Sequence, residues 1–134
     1  MLKVGLVGWR GMVGSVLMDR MRAENDFALI EPVFFTTSNI GGAAPKEAEG
    51  QPLKSAKDIA ALKLMDVVIT CQGGDYTAEI YPLLRDTGWH GYWIDAAKTL
   101  RMQDDAVIVL DPVNMPVIQT ALAAGIKNYI GGNC

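Results

Sequence analysis

The chain has 134 residues, the size of one ordinary domain, and half of them are hydrophobic, enough to bury a sizeable core. Twelve basic and fifteen acidic side chains give a net charge of −3. Neither sign is gathered into a long run, so nothing suggests a nucleic-acid groove or a polybasic membrane anchor.

Apolar runs are far shorter than the roughly 20 residues that span a bilayer. The opening residues show no secretory pattern. Cys71 and Cys134 make no disulfide framework, and the expectation is a cytoplasmic protein with reduced thiols. The single histidine, His90, cannot assemble a Cys/His zinc cluster, so no metal is expected.

Short apolar runs alternate with helix-like stretches, which predicts an α/β fold: a Rossmann-like, doubly wound, mostly parallel sheet. Lys3 to Val7 is the first strand, followed by glycines at positions 8, 11 and 14. Met12, Val13, Val16, Leu17, Arg20 and Met21 then fall on one helical stripe. Ile30 to Thr36 is the second strand, and Pro32 near its start marks a sheet edge or an irregular beginning. Residues 37 to 54 read as a long surface loop, of a length that is often functional. Ser55 is placed to cap a short helix carrying Ile59, Leu62 and Leu64.

Asp66 to Thr70 is the third strand and Cys71-Gln72-Gly73-Gly74 the turn after it. A helix from about Asp75 to Asp86 should be bent or divided at Pro82 and stopped by Gly88. Tyr92 to Asp95 is the fourth strand and Val107 to Leu110 the fifth. A helix capped by Asn114 ends near Gly125, and Asn128 to Ile130 is the sixth strand. No linker divides residues 1–134. The chain stops just after a glycine turn, which reads as a piece of something longer.

A strand, then glycines, then a helix is an arrangement that binds a pyrophosphate at the helix N-terminus. Here the spacing is Gly8-x-x-Gly11-x-x-Gly14, with Arg10 where the usual pattern has its middle glycine. The same glycines could serve helix–sheet packing alone. NAD binders place an acid at the end of the second strand, about 20 residues after the glycines. This chain has Phe35-Thr36-Thr37-Ser38 there, and Glu31 stands at the wrong end. Hydroxyls and amides receive a 2′-phosphate without repulsion, which favours NADP; the alternative is that Thr37 and Ser38 only begin a loop.

Cys134 follows Gly131-Gly132-Asn133 at a strand end. Position alone allows a nucleophilic thiolate or a small buried side chain. Arg101 follows the fourth strand and suits a phosphate or carboxylate, or else is a solvated charge. Cys71, His90, Asp95 and the Trp89, Tyr92 and Trp93 cluster read as structural.

Taken together, long blocks resemble the bacterial aspartate-β-semialdehyde dehydrogenases. They are Gly5 to Met18, Pro32 to Ser38, Thr70 to Thr77, Gly91 to Ala97, Val109 to Asn114 and Gly131 to Cys134. The resemblance implies an NADP-binding portion of an enzyme that converts β-aspartyl phosphate to aspartate semialdehyde and phosphate. That step feeds lysine, threonine, methionine and diaminopimelate synthesis. By the matching motifs, Gly8, Arg10, Gly11, Met12, Val13, Thr37, Ser38 and Gln72 contact NADP. Arg101 binds the substrate phosphate, and Cys134 forms a thioester. The resemblance also implies a homodimer, a downstream substrate domain, and little activity for residues 1–134 alone.

One position departs from the family. Lys98 stands where the family's Asp-Ala-Ala-Ser run has its serine. Two alternatives remain: an acyl-phosphate reductase of the N-acetyl-γ-glutamyl-phosphate type, and a non-catalytic nucleotide-binding module.

Overall fold

A computed structural model describes residues 2–95, 106–109 and 128–131. They form seven strands: β1 (Leu2–Val7), β2 (Ile30–Thr36), β3 (Lys54–Ser55), β4 (Val67–Thr70), β5 (Tyr92–Asp95), β6 (Ala106–Val109) and β7 (Asn128–Gly131). Three α-helices are described, α1 (Met12–Ala23), α2 (Ile59–Lys63) and α3 (Gly74–Asp86), with short 3-10 turns at Asp26–Leu29 and Lys46–Ala48. The strand order is β3-β2-β1-β4-β5-β7-β6, and every neighbouring pair is parallel. None of the described helices is long and apolar enough to cross a membrane.

Alternation along β1, β2, β4 and β5 feeds two separate cores, because successive side chains point to opposite faces. Val4, Leu6, Ile30, Phe34, Val67, Ile69 and Ile94 pack on one face with Met18 and Met21 of α1. Val7, Val33, Phe35, Val68 and Trp93 pack on the other with Leu62 of α2 and Tyr76, Ile80 and Leu84 of α3. Helices on both faces are the doubly wound arrangement expected from the alternating pattern. Trp89 and Trp93 are buried in the second core, as their clustering suggested.

The first helix buries a different face from the one its apolar residues suggest. Gly14, Met18 and Met21 are buried, whereas Met12 is 88% and Val16 58% exposed. Gly14 decides the rotation. A Cβ there would overlap the carbonyl oxygen of Gly8 and stand 2.7 Å from Trp9 Cα. The helix therefore lies directly on the turn at Gly14, which sends Met12 and Val16 to the far side.

Two further expectations change, one holds, and one strand is new. The strand β3 had no sequence signal; it pairs with Phe35 and Thr36 alone. Pro32 consequently lies on a part of β2 with only β1 beside it, the edge position that its missing N–H requires. Asp58, not Ser55, caps α2, its carboxylate accepting from the Ala61 amide at 3.2 Å. Pro82 sits inside an undivided α3. Both Pro82 and Ala78, whose carbonyl loses its helical donor, are exposed, so water can satisfy that oxygen.

The long loop is more than surface. Ala48 and Leu53 enter the first core, and Gly41 and Leu53 are tied by a 2.8 Å backbone bond. Arg22 of α1 grips Glu47 through two bonds of 2.8 and 3.2 Å. The helix expected after Asn114 and the segment between β5 and β6 lie outside the described residues.

The buried polar groups of Tyr76 and Asp95 are matched. The Tyr76 hydroxyl donates to the Ala56 carbonyl at 2.6 Å, and burial raises its pKa, so it stays a donor. Asp95 accepts from Thr77 at 2.5 Å and Trp93 Nε1 at 3.0 Å, joining α3 to β5 in the structural role expected of it.

Two outcomes follow from this packing. Gly14→Ala should cost about 2–3 kcal/mol in a denaturant melt, because backbone rather than a flexible side chain must yield. The Glu47 carboxyl is held below its usual 4.5, first by its hydrogen bond to Arg22. A lowered folded-state pKa stabilises above the ordinary value and is lost as pH falls through the lowered one. Glu47→Gln should therefore cost about 0.5–1 kcal/mol at pH 7, and the deficit should shrink as pH falls below the usual 4.5 and disappear once the lowered pKa is passed.

Candidate functional site

Parallel strands all end on one edge of the sheet. Beside β1 the winding reverses: β2 and β3 lie to one side of it, and the chain then returns to place β4 on the other. Loops after β1 and β4 therefore part in opposite directions, leaving a crevice where open α/β sheets bind ligands. A cleft of about 340 Å³ occupies this place. Gly8, Trp9, Arg10 and Gly11 line it from the first turn, Phe35 to Ser38 from β2, and Cys71 and Gln72 from the turn after β4.

Gly8 lets these two turns meet. Its φ of +72° belongs to the left-handed region, and a Cβ would come within 2.5 Å of the Gln72 amide nitrogen. Gly11 is the N-cap of α1 and contributes no capping side chain. The first-turn amides of α1, those of Met12, Val13 and Gly14, are thus left for an anion.

The other wall is polar and organised. Trp9 Nε1 donates to the Phe35 carbonyl at 3.1 Å, and its ring packs edge-on against Phe34 at 5.3 Å. The Arg10 guanidinium lies 4.9 Å over the Trp9 ring and donates to Thr36 Oγ1 at 2.7 Å. Ser38 N also donates to Thr36 Oγ1, at 3.2 Å. Among the described residues, no carboxylate lines the cleft. Glu31 is exposed near the start of β2, away from this edge.

Six residues singled out in the sequence come together here: Gly8, Arg10, Gly11, Thr37, Ser38 and Gln72. Met12 and Val13 are not among the residues lining the cleft; the side chain of Met12 is exposed, and their backbone amides lie at the start of α1. Arg101, Lys98 and Cys134 lie outside the described residues. Sequence reasoning passed over Trp9 and Thr36 as ligand-facing groups and took Cys71 as structural; all three line the cleft, Cys71 half-buried. The available signal for Thr36 was its place as the last residue of β2.

A cation, an uncapped helix start, three consecutive hydroxyl residues and no acid form a donor set suited to a polyanion. A dinucleotide phosphate fits these residues.

Comparison with known proteins agrees. Residues 3–121 match the family described as semialdehyde dehydrogenase, NAD binding domain. The chain is similar to the aspartate semialdehyde dehydrogenase from Francisella tularensis at 50% identity and a TM-score of 0.88, over 100% of this chain and 37% of that one. It is similar in fold to aspartate semialdehyde dehydrogenase II from Vibrio cholerae complexed with ASA, at 19% identity and a TM-score of 0.71, over 100% and 42% of the two chains. The Candida albicans enzyme with NADP gives 18% identity and a TM-score of 0.65, over 98% and 43%. This chain spans less than half the length of each. The family match takes in every residue lining the cleft, and the chain belongs to the semialdehyde dehydrogenase family, of which it carries the NAD-binding domain.

Proposed function

We propose that this chain is the NADP-binding part of an enzyme that reduces β-aspartyl phosphate to aspartate semialdehyde with release of phosphate. The observation that carries the cofactor choice is the acid-free end of β2, where Arg10 is drawn to Thr36. An acid there would bond a ribose 2′-hydroxyl and repel a 2′-phosphate; arginine and hydroxyls do the reverse. Gly8, Gly11, Thr37, Ser38, Gln72 and the first-turn amides at Met12 and Val13 complete the site.

NADPH, when bound, supplies the hydride that takes the acyl group to the aldehyde level. The protein's share is to present the acyl group as a thioester. In this reading the Cys134 thiolate attacks the acyl phosphate carbonyl, a carbon–sulfur bond forms, and the carbon–oxygen bond to phosphate breaks. Arg101 neutralises the charge on the departing phosphate. Support comes from the two strands that precede these residues in sequence. β5 and β7 run parallel to β1, so both end on the edge that carries the cleft. β7 stands three strands from β1, roughly 14 Å at ordinary spacing, a distance a dinucleotide can bridge.

The resemblance of the sequence blocks makes a homodimer and a place in lysine, threonine, methionine and diaminopimelate synthesis part of the same proposal. In the enzyme carrying this segment, Cys134→Ser should lower kcat by about a thousandfold or more while leaving NADPH binding within about twofold. Normal turnover by Cys134→Ser would remove the thioester from the mechanism. Equal affinity of the unaltered protein for NADPH and NADH would remove the cofactor assignment.

A further inference from the structure

We propose that Thr36 is a positioning residue for nucleotide selectivity: its hydroxyl holds the Arg10 guanidinium where the ribose 2′-phosphate is read. This deepens the NADP reading above and rests on it.

Three donors converge on one oxygen. Arg10 Nη2 lies 2.7 Å from Thr36 Oγ1, the Ser38 amide 3.2 Å and the Asn39 amide 3.5 Å. Thr36 itself is 5% exposed, whereas Arg10 is exposed. A rigid, buried atom thus fixes the end of a long solvent-facing side chain. It also fixes the first turn of the loop carrying Thr37 and Ser38. The guanidinium is held from a second side by the Trp9 ring, which is pinned in turn to the Phe35 carbonyl.

The chemistry of the holder matters as much as its position. A hydroxyl oxygen accepts a hydrogen bond without carrying charge, so it orients the cation and leaves its charge uncompensated. A carboxylate at the same place would orient the arginine equally well and neutralise it. Guanidinium has five N–H donors, and one bond to Thr36 leaves the others for a phosphate. An arginine already held near its bound position loses less freedom when the ligand arrives, and the gain appears as affinity. That gain applies only to a nucleotide bearing the phosphate Arg10 meets.

Selectivity therefore separates this role from a merely structural one. The full chain is titrated with NADPH and with NADH, following tryptophan fluorescence or heat. Thr36→Val should weaken NADPH about tenfold and change NADH less than about twofold. Thr36→Ser, which keeps the hydroxyl, should restore NADPH binding to within about threefold of the unaltered chain. In an Arg10→Ala background, Thr36→Val should add little further loss, because the residue to be positioned is gone. Thr36→Ala removes the same hydroxyl with a smaller side chain and carries the same expectation if Thr36→Val does not fold.

A chain that binds NADPH and NADH alike would overturn the NADP reading, and this proposal with it. A chain that prefers NADPH, but whose Thr36→Val variant weakens both nucleotides equally, would overturn this proposal and leave the NADP reading standing. Equal losses from Thr36→Val with and without Arg10 would do the same.

Discussion

No side chain fits between Gly14 and the carbonyl of Gly8, and from that contact the useful part of the molecule is built. It brings α1 down onto the end of β1 with its amide end at the crevice. It also rotates the helix so that Met18 and Met21 enter the core. The left-handed Gly8 turns the chain tightly enough to pass beneath the Gln72 amide. Two turns from distant parts of the sequence, through residues 8–11 and 71–72, therefore share one cleft.

What the cleft offers a ligand is charge held by neutral groups. Arg10 is not paired with an acid there; it is flanked by an indole face and a threonine hydroxyl. Salt bridges occur elsewhere on the molecule, as between Arg22 and Glu47, where they fasten a loop to a helix. An ion pair spends its field on itself, whereas a hydroxyl-held cation keeps its field for a partner. That division separates the ion pairs that fasten the fold from a cation held by neutral groups, the arrangement suited to the anion proposed for this cleft.

Rigidity around the cleft comes from buried polar bonds set into the second core. Asp95, at the end of β5, ties Thr77 and Trp93 together, and Tyr76 ties α3 to the chain just after β3. Each is a matched donor and acceptor away from water, where leaving one partner alone is costly. These bonds sit near the strand ends from which the ligand-facing loops depart, so the loops leave fixed points.

Much of this was legible in the sequence because it depends on local rules. Alternation gave the strands, and the glycine spacing after β1 announced the turn. The run of family blocks pointed to the family whose NAD-binding domain residues 3–121 match. Other features needed the third dimension. β3 exists only because Phe35 and Thr36 offer an edge to pair with, so no periodicity within Lys54–Ser55 could reveal it. The choice of buried face on α1 was made by a backbone contact at Gly14, and apolar side chains on both sides of the helix concealed it. Thr36 resembled any strand-end threonine, its oxygen turned to its own loop, until folding brought Arg10 from the turn after β1 to it. Sequence records which groups are available and their local spacing; only the tertiary fold decides which of them meet at a single atom, because such meetings join residues separated by whole elements.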